Sequence, residues 1–398
     1  MTFESVVKEL GIEAYPPVLK EIFDKTDIAC ACLVDEEFLR KVSKEYNVLR
    51  TREEEFITFA KRVADDEAAL AYLNLCNCYI DEMNGDANEC KKLKMPKIAK
   101  ESTTVDIFPM LVLMPQISKS YERYIKRGIS HEDAMKEMGC YGGCLGSVSN
   151  LNGRTMLPYS HYLWLCNYLE ARIINVAGFN YEVKKFEFNG VYIKNKKNGQ
   201  LVALMLNEKI HKSGLVLGTP GCKDDDSSWF ASYTETESEF VGFPVSDNGF
   251  AIKEERHYSK DEWEKILQKG DDCISFHIPR DSDFTPENLD KSFKEGVRAV
   301  RKYYPEKNIR CITCASWLVS PQLWDIMKPT SNIVAFGKRF TPLPQINSAD
   351  SIFSCVFQKK VDDYNDLPEE TSLQRSMKKL CLDGGYLYTY IGAFEITE

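Results

Sequence analysis

The sequence predicts an α+β protein. A helical N-terminal domain spans residues 1–175, and a mixed β-sheet domain flanked by helices spans 176–398. Three observations predict this. Apolar residues recur at three- and four-residue spacing through the first part. After about residue 176, short alternating runs divided by Gly, Pro, Asp and Ser take over. From Cys273 onward, strand and helix patterns alternate. The 398 residues and 45.6 kDa suit two or three domains, with enough chain to bury a core. An aromatic content of 12% excludes disorder as the main state.

In the first part, Phe56, Phe59, Ala60, Val63, Ala64, Ala68 and Leu70 carry the helical spacing. Ser130-His-Glu-Asp133 has the form of a capping box, and Gly139 is the expected stop of the helix it opens. The glycine-dense run Gly139 to Gly146 matches no phosphate-loop spacing, so it reads as a loop or a tight helix contact. A further helix follows Pro158, with Tyr162, Leu165, Cys166, Leu169 and Ile173 along one side.

In the second part, Phe186–Phe188, Val191–Ile193 and Leu201–Leu206 read as strands, with a turn at Asn195–Gly199. Short strands fill 207–257. Ser259-Lys-Asp-Glu262 is a second capping-box pattern, predicting a helix through Trp263, Ile266 and Leu267 that stops at Gly270. Cys273–Pro279 is a strand. Thr285-Pro286 supplies an N-cap and a first-turn proline. The helix they open carries Leu289, Phe293, Val297, Val300 and Tyr304 on one side. Arg310–Leu318 is a strand, Ser320-Pro321 opens a helix, and Ile352–Gln358 is a strand. Leu373–Cys381 is a helix stopped by Gly384 and Gly385, and Tyr386–Ile391 is the last strand.

A formal net charge of −9 and a pI of about 5.4 argue against nucleic acid or an anionic membrane as partner. No apolar run approaches the roughly 20 residues of a membrane helix. The opening MTFESVVKELGIEAYPP lacks a basic-then-apolar pattern, so a cytoplasmic location is expected. Reduced, unpaired thiols are the expectation for the fourteen cysteines there. The close pairs are Cys30/Cys32, Cys76/Cys78, Cys140/Cys144 and Cys311/Cys314. Only the last has common zinc spacing, and residues three apart on a strand point to opposite faces, so no metal is expected. Asp224–Ser228 is acidic but lacks the pattern of a calcium loop and reads as a solvated turn.

Chemistry gathers at two strand ends. Cys273, Ser275 and His277 share one face of the first strand, while Ile274, Phe276 and Ile278 share the other. His277 suits proton transfer near neutral pH, or a structural bond to a loop carbonyl. On the second strand Cys314 and Ser316 share a face. If the strands are neighbours, His277 is expected near Cys314 or Ser316, which suits nucleophilic or proton-transfer work. No Gly-x-Ser-x-Gly elbow surrounds Ser316. Lys291, Lys294, Arg298, Arg301 and Lys302 form a basic helix stripe, either a solvated face or a phosphate site. Arg280, between strand and helix, is better placed to reach an anion.

The residues of this part resemble a known family. Ser275-Phe-His-Ile-Pro279, Cys314-Ala-Ser-Trp-Leu318 with Pro321 and Leu323, Ser331-Asn-Ile333 with Phe336 and Phe340, and Thr371-Ser-Leu-Gln-Arg375 with Gly384-Gly385 carry the likeness. Their order and spacing over about 275–392 are similar to the GNAT-like C-terminal domain of two-domain bacterial acyltransferase-like proteins. The first part looks like that group's N-acyltransferase N-terminal domain, with weaker motifs around Gly153–Val183. The resemblance implies a twisted mixed sheet with helices on both faces. It implies an acyl-CoA lying along the splayed end of a central strand, here Cys273–Pro279. The pyrophosphate would meet the following turn and helix start, so Ile278, Arg280, Thr285 and Glu287 are the implied CoA-binding residues.

The implied activity is transfer of an acyl group, expected from acetyl-CoA, to an amine of a small molecule or peptide. The implied base is His277. Cys314 or Ser316 would protonate the leaving thiolate, and Trp317 and Asn332 would face the substrate. The sequence departs from the usual GNAT phosphate loop, which holds Gly-x-Gly or Gly-x-Ala. Pro279-Arg-Asp-Ser-Asp-Phe-Thr-Pro286 has no glycine, and its two aspartates repel phosphate. Two alternatives follow. One is a non-catalytic GNAT-like binding module without the pyrophosphate loop. The other is a hydrolase pairing Cys314 or Ser316 with His277.

Overall fold

The structure is a computed structural model describing residues 1–97, 102–279, 282–346, 352–357, 361 and 363–397. The chain forms two compact units, Met1–Asn175 and Val176–Glu398. No helix among the described residues is long and apolar enough to cross a membrane.

The first unit is helical. The spacing from Phe56 to Leu70 belongs to two helices, Glu53–Ala64 and Glu67–Glu82. Asp66 divides them, because its carboxylate accepts the Ala69 amide and caps the second. That second helix is buried nearly all round, as a helix apolar on every side must be.

The expected stop at Gly139 is corrected. Ser130 does cap a helix, accepting the Asp133 amide, but it runs His131–Asn152 and ends at Gly153, whose φ is 66°. The glycines inside it permit a close approach. A Cβ on Gly142 would lie 2.7 Å from the carbonyl oxygens of Asn47 and Val48.

The second unit is built on one mixed sheet. The strands of this unit that matter here are β1 (Phe179–Lys185), β2 (Gly190–Asn195), β3 (Leu201–Met205), β4 (Trp263–Leu267), β5 (Asp272–His277), β6 (Cys311–Ser316), β7 (Thr341–Pro344) and β8 (Tyr390–Glu395). In this sheet β1, β5, β6, β8 and β7 lie side by side in that order. Among these five strands β5 and β6 run parallel, and the other neighbours are antiparallel. A smaller sheet, ordered β4-β2-β3, covers one face. There Cys273, Cys311, Ile391 and Ala393 pack with Tyr192, Met205, Ile266 and Leu343.

The helix Pro286–Tyr303 covers the other face through Leu289, Phe293, Gly296 and Val300. The Phe293 ring lies 4.9 Å from Phe276 and 5.2 Å from Phe394. Each buried ring of this kind contributes about 1.5–3 kcal/mol.

Four predicted elements differ. Trp263–Leu267 is a strand, not a helix. Ser259 accepts the Asp261 amide in a tight turn, and Trp263 then pairs with Asn195. Ile352–Phe357 is a π-helical turn rather than a strand, and Gln358 lies outside the described residues. Phe353, Val356 and Phe357 pack there with Leu323 and Met377. A short apolar run suits strand or helix equally, so packing decides.

The last strand starts at Tyr390, not Tyr386, because Gln322 satisfies the preceding backbone. Its amide donates to Tyr386 O at 2.8 Å and accepts from Tyr388 N at 2.9 Å. The strand read at Phe186–Phe188 falls just beyond β1. Phe186 there exchanges backbone bonds with Gly270 and Asp271.

Candidate active site

The two parallel strands end at the same edge of the sheet. Their ladder pairs Ile274 with Ile312 and Ser275 with Thr313, then stops. Each strand keeps its antiparallel neighbour to its last residue, His277 on Asn180 and Ser316 on Tyr390. The C-terminal ends of β5 and β6 therefore part from each other while held from outside. Pro279, two residues past β5, has no N–H to extend a ladder.

His277 is the last residue of β5. Its Nε2 lies 2.7 Å from the Glu182 Oε2 on β1. Register explains the meeting: Glu182 pairs with Ser275, so its side chain and that of His277 share a face on a diagonal. Glu182 has only 4% of its side chain exposed, against 31% for His277. A buried carboxylate is costly to desolvate unless paired, so Glu182 is a strong holder of the imidazole. With Nε2–H directed at Glu182, the neutral tautomer has Nδ1 as its basic nitrogen.

Lys184 shares this face. Burial works to lower its pKa, but the charges of Glu182 and Glu187 outweigh it and raise the pKa.

Glu182 is the candidate residue that sequence reasoning missed. Phe179, Tyr181 and Val183 alternate with Asn180, Glu182 and Lys184, a period-two signal that marks β1.

The expected meeting of His277 with Cys314 or Ser316 is corrected. Thr313 pairs with Ser275 and so shares the face of His277. Cys314 and Ser316 point to the opposite face. Cys314 is 1% exposed, and burial pushes its thiol well up. Ser316 Oγ accepts the Leu318 amide at 3.1 Å. The same separation removes the geometric basis of a Cys314–His277 or Ser316–His277 hydrolase.

Trp317 follows Ser316 in a short 3-10 turn and packs with the cluster around Leu323 and Met377. Asn332 is exposed at the start of the helix Asn332–Gly337.

Among the implied CoA residues, Ile278 is half-buried just after His277, and Thr285 and Glu287 are exposed at the start of the helix Pro286–Tyr303. Arg280 lies outside the described residues. Thr285 makes no side-chain cap to the helix. Its amide and hydroxyl both donate to Asp283, at 2.9 and 3.0 Å. A carboxylate thus stands beside this helix start. Lys291, Lys294, Arg298, Arg301 and Lys302 are exposed, and none pairs with a carboxylate among the described residues.

Elsewhere, Asp224 and Asp225 pair with Lys209 and Lys212. Among the described residues no three His, Cys, Asp or Glu side chains stand close enough to hold a metal ion. A cavity of about 540 Å³ in the first unit is lined by residues including Ile12, Met95, Val105, Pro109, Leu157 and Tyr159. None of the predicted site residues lines it.

The profile of the GNAT-like C-terminal domain matches residues 185–394, more than half of the chain. The chain belongs to the GNAT-like C-terminal domain family. No curated protein sequence matches it.

The fold of this GNAT-like protein is similar to solved acyltransferases, with 100% of both chains covered in each case. An acyltransferase in complex with CoA and 10C-teicoplanin gives a TM-score of 0.66 at 15% identity. An acyltransferase mutant in complex with octanoyl-CoA gives 0.65 at 15%. An acyltransferase in complex with decanoyl-CoA and teicoplanin gives 0.64 at 14%. At such identities the likeness concerns the fold. It extends over both GNAT-like and helical parts of the chain.

Proposed function

We propose that this protein is an acyl-CoA-dependent N-acyltransferase acting on an amine of a small molecule or peptide. The observation that carries this reading is the parting of β5 and β6 with the Glu182–His277 pair at its mouth. A thioester arm laid in that opening completes the interrupted ladder with main-chain hydrogen bonds. His277 Nδ1 takes the proton of the amine as its nitrogen attacks the thioester carbonyl. A main-chain N–H at the parted edge holds the oxyanion. Collapse of the tetrahedral intermediate forms the amide and expels the thiolate of CoA, which then takes a proton. Glu182 keeps the imidazole in place throughout.

The similar acyltransferases hold octanoyl-CoA, decanoyl-CoA or CoA, and two hold teicoplanin or its 10C form. They support a longer acyl group as the first donor to test, beside the acetyl-CoA expected from sequence. Ile278, Thr285 and Glu287 remain the candidate CoA contacts, and Trp317 and Asn332 the candidate acceptor contacts.

The test is release of free CoA thiol from acetyl-, octanoyl- and decanoyl-CoA against a panel of amines. Acceptor-dependent release, lowered about 10²- to 10⁴-fold in His277→Ala, supports the reading. Release that is unchanged in that variant removes His277 as the base.

A second reading, a GNAT-like module that binds without catalysis, is favoured by one feature. Asp283 places a carboxylate beside the helix start that meets pyrophosphate in GNAT-type enzymes. It expects no thiol release with any donor.

A further inference from the structure

Cys30 and Cys32 flank Ala31 in a turn of the first unit. Their Sγ atoms lie 2.9 Å apart, closer than a sulfur–sulfur hydrogen bond ordinarily brings them. Cys32 is exposed and Cys30 half-buried. The backbone around them is fixed from the core. Asn74, 5% exposed, donates its amide to Cys30 O at 2.8 Å and Ile28 O at 3.3 Å. The Val34 amide closes the turn on Ala31 O at 3.1 Å.

The other close pairs are arranged differently. Cys76 is buried while Cys78 is exposed, and Cys311 and Cys314 are both buried, on opposite faces of β6. Cys140 and Cys144 sit one turn apart inside a continuous helix.

We propose that Cys30-Ala31-Cys32 is a redox-active dithiol that closes to an intrachain disulfide on meeting a low-molecular-weight disulfide of the glutathione class. Residues two apart in a turn lie within the Cα separation a disulfide spans. The chemistry is two exchange steps. A protein thiolate attacks one sulfur of the small disulfide, forming a mixed disulfide and expelling one small thiolate. The neighbouring protein thiol, deprotonated, attacks the protein sulfur of that mixed disulfide and expels the second. The protein loses two electrons and two protons, and the small disulfide becomes two thiols.

The hydrogen bond with Cys30 pushes the Cys32 thiol up to about 11. Either thiol can open the exchange, the other then resolving the mixed disulfide, since the two sulfurs already touch.

The experiment exposes the full chain to glutathione buffers of rising oxidised fraction. Samples are quenched in acid, free thiols are blocked with N-ethylmaleimide, and tryptic peptides are weighed. Trypsin releases Thr26–Arg40, which carries both cysteines and no other. The expected product is this peptide unlabelled and lighter by two hydrogens, forming on the order of tenfold faster than any other cysteine peptide reacts. Cys32→Ser is expected to trap glutathione on Cys30 instead. The proposal is overturned if the wild-type peptide carries two maleimides across the series. It is equally overturned if wild-type Thr26–Arg40 stops as a glutathione adduct.

Discussion

Glu182→Gln removes one charge while preserving the shape of the side chain. The wild-type carboxylate is 4% exposed and lies 2.7 Å from His277 Nε2. A hydrogen bond to a charged partner contributes about 1.5–3 kcal/mol and a neutral one about 1 kcal/mol. The variant therefore loses roughly 1–2 kcal/mol of hold on the imidazole. At about 1.4 kcal/mol per tenfold, the turnover number falls about 5- to 30-fold.

The assay is thiol release at saturating acyl-CoA, with kcat and KM separated. The expected result is a lower kcat with the KM for acyl-CoA held. Because Glu182 acts through His277, adding Glu182→Gln to His277→Ala costs nothing more. A wild-type kcat in Glu182→Gln, or two losses that multiply fully, would refute the positioning role.

Three further outcomes are expected. Gly296→Ala lowers stability by about 1–3 kcal/mol despite the better helix propensity of Ala, because the new Cβ meets the buried Tyr181 ring. A lower urea midpoint with unchanged slope checks it. Cys140 alkylates at a lower pH than an ordinary thiol. Hydrogen bonds from Cys144, Tyr168 and Trp164 outweigh burial and lower its pKa. Tyr168→Phe should move the pH–rate curve back up.

Glu137 concerns pH. Burial raises its carboxyl from 4.5 to about 8, although the Asn175 amide donates to it. The folded state then binds the extra proton between these values, so stability falls as pH rises from 4.5 to 8. The fall is on the order of 4 kcal/mol, and Glu137→Gln abolishes it in urea titrations at pH 5 and pH 8.

Much of this fold is legible in the sequence. The alternation that places Ile274 and Phe276 on one face and His277 on the other describes β5 as observed, and the Leu289–Val300 spacing describes its covering helix. The misreadings share a cause. The capping pattern at Ser259 is satisfied locally by a turn, and only pairing of Trp263 with the distant Asn195 makes the strand. Gln322 likewise delays β8 from 64 residues away.

In the candidate site, the strand-end position of His277 is legible in the sequence. Its partner Glu182 lies 95 residues earlier and is chosen by strand register, which spacing along one chain does not carry. The face of Cys314 relative to His277 depends on the same register.

The opening between β5 and β6 is the centre of the account, and calorimetric titration with decanoyl-CoA, acetyl-CoA and free CoA tests it most directly. The account predicts micromolar binding of an acyl-CoA. No heat and no thermal stabilisation with any of the three at millimolar concentration would contradict it.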